Sequence, residues 1–533
     1  PPPPFLMIRR PPRSTLARPR RQRQMCIRDR DATNNRAIWA DASSSTILLE
    51  STGDTTDRTT EIQNSVNNAS YVYLGPGEFY IDSTVKMPSN TALLGIPGAT
   101  KIIRGSTQDN LLRNNNTASG LYSGNENIFV QGIIFDAGAG ATSCTAVAFG
   151  HCSNITVADC GFTRIYDWHG IEYNAVTNST ILNCKFYDFQ GVDEDEEMIQ
   201  LDNMGSTGRW PWDTGTTVYD STPCRNISIS NCSFQNGRTG IGSHSFESGF
   251  LHESISIDGC TFDSLTSYGI RDVTGKLYTI SNCTFDTIGV VGIAHLENAT
   301  NDWTVTGCTF SNMTSRAIQM AYVAGLSISS NVINSTVSHA IGFDYCDNST
   351  ITNNSITDCE DVAIYCFRSL HSTISSNVVK GGGSNQGSTE ADITIGSSVS
   401  VGSNTQDTII TGNYCNDINT RQYSTRTVVE NNIITTSTTN TTSTEYRELN
   451  NFIGGVWEVG SLPDHNDLNA VQSATNAPAG ERYHLGQEQA ERVQNLTFEY
   501  IGVWNSAVTY GFGQVVLLNN RRYISRVRNN FNN

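Results

Sequence analysis

YTISNCTF (278–285), WTVTGCTF (303–310) and LSISSNVI (326–333) follow one another along the chain, and their alignment decides the fold. Each is a β-rich run that reaches a Cys or Asn, passes one residue and ends on an apolar side chain. The pattern continues upstream as NITVADCGF (Cys160), STILNCKF (Cys184), ISISNCSF (Cys232) and SISIDGCTF (Cys260). Downstream it gives STITNNSI (Asn354), STISSNVV (Asn377) and VVENNII (Asn432). From Cys160 to Asn377 the gaps are 24, 48, 28, 23, 25, 23, 23 and 23 residues. A period of about 23 is one coil of a parallel β-helix. A second strand repeats in the same frame, anchored on Ile171, Ile199, Ile241, Ile270, Ile293, Ile318, Ile341 and Ile364. One coil cannot bury its own apolar side chains. Stacking coils about 4.8 Å apart pairs every strand and builds a continuous core.

The chain is thus expected to be an all-β solenoid over residues 56–440. Composition agrees: only 16% of the 533 residues are charged, and Gly, Ser, Thr and Asn abound. Six of 14 cysteines fall in the repeated slot, which reads as a stack of small apolar thiols in the core. No metal site or disulfide framework is expected from them, and the Asn that follow should form an internal amide ladder.

Formal net charge is -17, and the first 30 residues carry nine Arg and one Asp, or +8. The remaining 503 therefore hold -17 - 8 = -25. So acidic a body repels phosphates, which argues against nucleic acid and against anionic membrane surfaces. No run of 18 apolar residues is present to span a bilayer. Residues 1–30 contain FLMIRRPPRSTL and MCIRDR, which resemble translated sequencing-adapter DNA. They are set aside as non-native, with 31–55 read as a linker.

TTEIQNSVNNASYVYLGPGEFYIDSTVKMPSNTALLGIPGATKI, just upstream of the coils, resembles the opening of the pectate-lyase-like superfamily. The matching features are a short amphipathic helix around Thr60–Asn67, a turn with Pro76, Gly77 and Tyr80, and a segment with Ser89, Asn90, Leu94 and Gly95. The resemblance spans roughly residues 55–435 and implies a right-handed β-helix. That fold hosts lyases, hydrolases, epimerases and inert binding proteins, so chemistry must be argued from a site.

Side chains alternate in and out along a strand. With each anchor Ile inward, one outer column reads Glu172, Gln200, Gly242, Arg271, Ala294, Gln319, Gly342, Tyr365. A second reads Asn174, Asp202, His244, Val273, Leu296, Ala321, Asp344, Phe367. Ionisable groups gather in the first four coils, with His169 and Glu197 at strand entrances. Beside them falls the largest break in the repeat, the 48-residue gap between Cys184 and Cys232. It brings Trp210, Trp212 and Tyr219, aromatics of the kind on which sugar rings stack.

Three chemistries suit such a patch. Asp202 with Glu197 or Glu172 could supply the two carboxylates of a glycoside hydrolase. His244 or Tyr268 with Arg271 could supply the base and cation of a uronate lyase. Tyr166, Asp167 and His169 resemble the Tyr/Asp/His cluster of alginate epimerases. The acidic run Asp193–Glu197 could hold a calcium ion, its alternative being a solvated loop. No other cofactor is expected.

SLPDHNDLNAVQSATNAPAGERYHLGQEQAERVQN, within 441–497, resembles a segment of phage tail fibres through Asp464, His465, Asn466, Leu468, Gly480, Glu481, Tyr483, His484 and Leu485. Residues 498–533 resemble a truncated chitin-binding type-3 carbohydrate-binding module through Trp504, Tyr510, Gly513, Val515 and Tyr523. These resemblances imply a homotrimeric tail spike on the virion that binds and depolymerises a host-surface polysaccharide. The alternatives are a non-catalytic receptor-binding fibre, and a secreted bacterial polysaccharide lyase or glycoside hydrolase.

Overall fold

The computed structural model describes residues 45–458, apart from 139–141, 192–195, 206–215, 244–248, 383–390, 397–403 and positions 422, 441, 442, 444 and 455. It also describes three short strands, Tyr500–Val503, Val515–Leu518 and Arg521–Ile524. The main body is a parallel β-helix with three faces. A Ser/Thr face stacks Arg225–Ser230, His252–Asp258, Gly275–Ser281 and Trp303–Thr306. A phenylalanine face stacks Ser233–Gly237, Thr261–Leu265, Thr284–Ile288 and Thr309–Met313. An isoleucine face stacks Glu197–Asp202, Thr239–Gly242, Tyr268–Asp272 and Val291–His295.

Between the Ser/Thr and phenylalanine faces the chain turns a corner, and the turn dictates sequence. The residue before each Cys or Asn slot is left-handed, from Asn231 at φ 52° to Gly307 at φ 67°. Only Gly, Asn, Asp and small polar residues take that conformation cheaply, hence NC, GC, DC, SN and NN. The slot residue then points inward. Cys160, Cys184, Cys232, Cys260, Cys283 and Cys308 are buried free thiols. From Asn331 onward the slot is a ladder. Asn331 Nδ2 donates to Asn354 Oδ1 at 3.0 Å, Asn354 to Asn377 at 2.9 Å, and Asn377 to Asn413 at 2.9 Å. Asn413 to Asn432 and Asn432 to Asn451 complete it. Asn413 and Asn451 extend the ladder beyond the members visible in the repeat, and coils continue past residue 440 through Asn451–Ile453.

The core is a column of rings. Phe135, Phe162, Phe186, Phe234, Phe262, Phe285 and Phe310 stack with centroids 4.6–5.4 Å apart and planes within 12°. Isolated aromatic pairs prefer offset or edge contacts; here the strand spacing imposes near-parallel stacking. The isoleucine anchors pair one on the next from Ile171 to Ile364, as expected.

At the N-terminal end a ten-residue helix, α1 (Thr59–Asn68), covers the first coil with Ile62 and Val66 buried. Asp57 anchors its start by accepting the Thr59 N–H at 2.9 Å. The Gln63 carboxamide seals the open strand edge, accepting from Lys86 N–H at 2.7 Å and donating to Lys86 C=O at 2.9 Å. An unpaired edge would otherwise template aggregation.

Candidate active site

The expected outer columns have the right register and the wrong exposure. Glu172 pairs with Gln200 and Asn174 with Asp202, coil on coil. Yet Glu172 is 2% exposed, Gln200 3%, Asn174 0% and Asp202 1%. The cause is the excursion that leaves the coil after Asp202 and returns at Cys224. Met204 packs over Ala148 and Ala175, with Trp168 and Tyr219 against it. The excursion then runs back over earlier coils, where Leu121 N–H donates to Asp220 and Tyr122 Oη donates to the Pro223 carbonyl. Tyr219 is thus part of an apolar roof. Trp210, Trp212 and His244 lie outside the described residues, so the stacking of His244 on Asp202 is not described.

Beneath the roof lies a nest of carboxyl groups. Asn174 Nδ2 donates to Glu172 Oε1 at 2.8 Å, and Thr145 Oγ1 donates to Oε2 at 3.3 Å. Gln200 Nε2 donates to Asp202 Oδ2. His169 Nδ1 lies 3.0 Å from the Glu197 carbonyl and 3.8 Å from its carboxylate, so the carbonyl is the hydrogen-bond partner. Glu197 is fully buried and lies across Gly242, where a Cβ would come within 2.5 Å of Glu197 Cγ. A glycine is needed there for the acid to fit.

Glu196 was expected only within the acidic run Asp193–Glu197, not as a catalytic acid. It is fully buried, and its Oε1 accepts the Arg238 N–H at 3.1 Å. Burial, with the nearby Asp167 and Glu197 carboxylates, pushes its carboxyl up to about 7. An acid that keeps its proton near neutrality is what general-acid catalysis requires. The sequence signal was present: an unbroken DEDEE run entering an apolar strand cannot leave all its charges in water. Asp193, Glu194 and Asp195 lie outside the described residues. Glu196 and Glu197 are buried, so these two residues do not belong to a solvated loop.

His252 holds the neck of the excursion. Its Nδ1 accepts the Cys224 N–H at 3.0 Å and its Nε2–H donates to the Leu201 carbonyl at 2.9 Å. The two backbone groups fix a neutral tautomer, and burial lowers its pKa. Arg271 pairs with Gly242 one coil further along the same column. It is half-buried, 3.7 Å from Glu297 and 5.6 Å from the Tyr268 ring centre. Trp504 and Tyr510 lie outside the described residues. Tyr523 sits in the strand Arg521–Ile524, with its side chain outside the description.

Two family descriptions match the chain. "Rhamnogalacturonase A/epimerase, pectate lyase-like" matches residues 50–262, and "Right handed beta helix region" matches residues 249–405. These matches support the pectate-lyase-like superfamily and a right-handed coil. No curated protein matches. Among solved structures, the surface adhesin PfbA of Streptococcus pneumoniae is 18% identical, with 63% of this chain and 91% of that chain covered and a TM-score of 0.54. A mutant tailspike protein of E. coli bacteriophage HK620, in complex with pentasaccharide, is 12% identical, covering 74% and 77%, with a TM-score of 0.55. At such identities the likeness is one of fold.

Proposed function

We propose that this protein is a tail-spike-like depolymerase that binds a host-surface polysaccharide and hydrolyses it at the carboxyl nest of strand Glu197–Asp202. The observation that carries this is Glu196, a buried acid held protonated to about 7 beside further carboxylates. Glu196 protonates the departing glycosidic oxygen. Glu197, the adjoining carboxyl that acts on Glu196, serves as its partner. Entry of a sugar requires the roof of Met204 and Tyr219 to lift, a loop motion that would also exclude water on closure. Hydrolysis is favoured over β-elimination because Arg271, the expected uronate-binding cation, lies by Glu297 and the Tyr268 ring.

A binding-only fibre is the second reading, and the near-complete burial of Glu172 and Asp202 favours it. In either reading we place the protein outside the cell, on a virion tail or secreted, as a homotrimer. The segments 441–497 and 498–533 would then be appended tail and sugar-binding parts. Sedimentation tests the trimer.

The deciding experiment incubates the protein with a panel of bacterial capsular polysaccharides. Chain length is followed by size exclusion, and unsaturated ends by absorbance near ~235 nm, which β-elimination leaves and hydrolysis does not. Shortening without absorbance is expected, reduced about 10²- to 10⁴-fold in Glu196→Gln. Shortening with absorbance would make it a lyase. Binding without shortening would leave a receptor-binding fibre.

A further inference from the structure

The N-terminal end of the same isoleucine face carries a cleft of about 920 Å³ between α1 and the first three coils. It lies two coils before the carboxyl nest. Lys86, Arg113, Ala148 and Glu172 stand in one register column, and Ala148 is sealed beneath Met204. The apolar roof therefore separates cleft from nest.

The cleft walls are already fixed. Gln63 spends its carboxamide on the Lys86 backbone and on Asn67 Oδ1. Asp57 spends one oxygen on Thr59 and on the Asp82 N–H. Thr84 Oγ1 donates to Asn110. Such a wall gives up little freedom when something binds to it.

Other lining groups are unspent. Among the described residues, Lys86, Asp82 and Asp109 line the cleft with no ion-pair partner, and the Asn64 carboxamide makes no hydrogen bond. Asn110 is 1% exposed, and its Nδ2 has no acceptor. A buried donor without a partner is rare and costs stability unless something supplies an oxygen.

The lining also selects a class of ligand. Not one of the fifteen residues around the cleft is a large apolar side chain, which disfavours a lipid. Asp57, Asp82 and Asp109 outnumber Lys86 and Arg113, three carboxylates to two cations, which disfavours a polyanion. What remains is a molecule whose groups both donate and accept, many times over a short length. Sugar hydroxyls do this: carboxylates take their protons, and Lys86 and amide N–H groups meet their oxygens.

We propose that this cleft is a second glycan-binding site, for a neutral hydroxyl-rich oligosaccharide, independent of the carboxyl nest. It would hold a chain at the end of the solenoid while the roofed nest acts elsewhere on the same face.

The test is hydrogen exchange on the full chain with maltohexaose, cellohexaose and chitohexaose in turn. The Lys86 amide, held by Gln63, reports directly on the cleft. At least one probe should slow exchange in 59–68 and 84–87. Asn64→Trp, which fills the cleft from α1, should abolish that protection. Lys86→Ala should weaken binding about tenfold. Glu196→Gln should leave the protection intact, because the nest is a different site. Protection that persists undiminished in Asn64→Trp overturns the proposal. So does the absence of protection there with all three probes, or protection confined to 197–202. If Asn64→Trp lowers the melting temperature, Lys86→Ala decides.

Discussion

Coils 171–271 and coils 291–377 share one register, one ring column or its aliphatic continuation, and one corner turn. They differ in what hangs on the isoleucine face. The later coils keep a period near 23 residues, and their outer column is Ala294, Gln319, Gly342 and Tyr365. The earlier coils interrupt the period after Asp202 and bury acids beneath the interruption. The repeat specifies the scaffold, and its largest break borders the buried acids of strand Glu197–Asp202.

The most drastic way to break this contrast is to make the early region look like the late one. Replacing 205–222 by a short Gly-Ser turn should keep the β-rich circular dichroism spectrum. It should also expose Glu172 and Asp202 and abolish polysaccharide shortening on size exclusion. Retained shortening would show that the excursion is ornamental.

The inner slot sharpens the contrast next. Asn354 bonds Asn377, Asn331 and the Ile328 carbonyl, so Asn354→Ala strands several buried groups at once. It should cost about 3 kcal/mol or more in denaturant unfolding. Cys260→Ala in the earlier region removes one small thiol and should cost about 1 kcal/mol.

Each region also holds a titrating group of opposite sign. Asp392 in the later coils is pushed by burial from 3.8 to about 7, so the fold holds its proton longer than the unfolded chain. Its contribution is fully present below pH 3.8 and is lost as pH rises towards 7. Asp392→Asn should flatten that decline in melting temperature against pH. His252 behaves in reverse. Its pKa is lowered from 6.5, so its contribution stands above pH 6.5 and falls as the medium becomes more acid. Acid converts Nδ1 from acceptor to donor against the Cys224 N–H and loosens the neck. His252→Gln should remove this acid sensitivity from the early region alone.

The smallest effect is expected at Tyr322 and Tyr345, which stack 5.0 Å apart at left-handed positions of φ 60° and 51°. Tyr322→Asn trades ring stacking for a residue at ease there. The melting curve should move by no more than about 0.5 kcal/mol.

Register was legible because a solenoid has no other way to satisfy its repeat. The eight Ile anchors and the Cys-to-Asn slot could be paired by counting. Asn413 and Asn451 escaped because insertion and shortening put them 36 and 19 residues from their neighbours. Exposure was not legible. The alternation rule gave the correct side for Glu172 and Asp202, but no local pattern says that the loop after Asp202 will fold back over them. Glu196 sits at a corner, where strict in-out alternation fails. The N-terminal cleft draws on α1 and three coils together, and no single stretch of sequence encodes it.

The Asn ladder has a polarity. Every Oδ1 accepts from the coil before it and every Nδ2 donates to the coil after, so the amide dipoles add head to tail from Asn331 to Asn451. Aligned in a dry interior, such dipoles reinforce one another. Their positive pole emerges at Asn451, whose Nδ2 lies 3.1 Å from the Glu448 carboxylate. The solenoid thus ends as an α-helix often begins, with an anion on the positive end of a macrodipole. Neutralising that one surface charge should make the last coils fray first, leaving the earlier coils untouched.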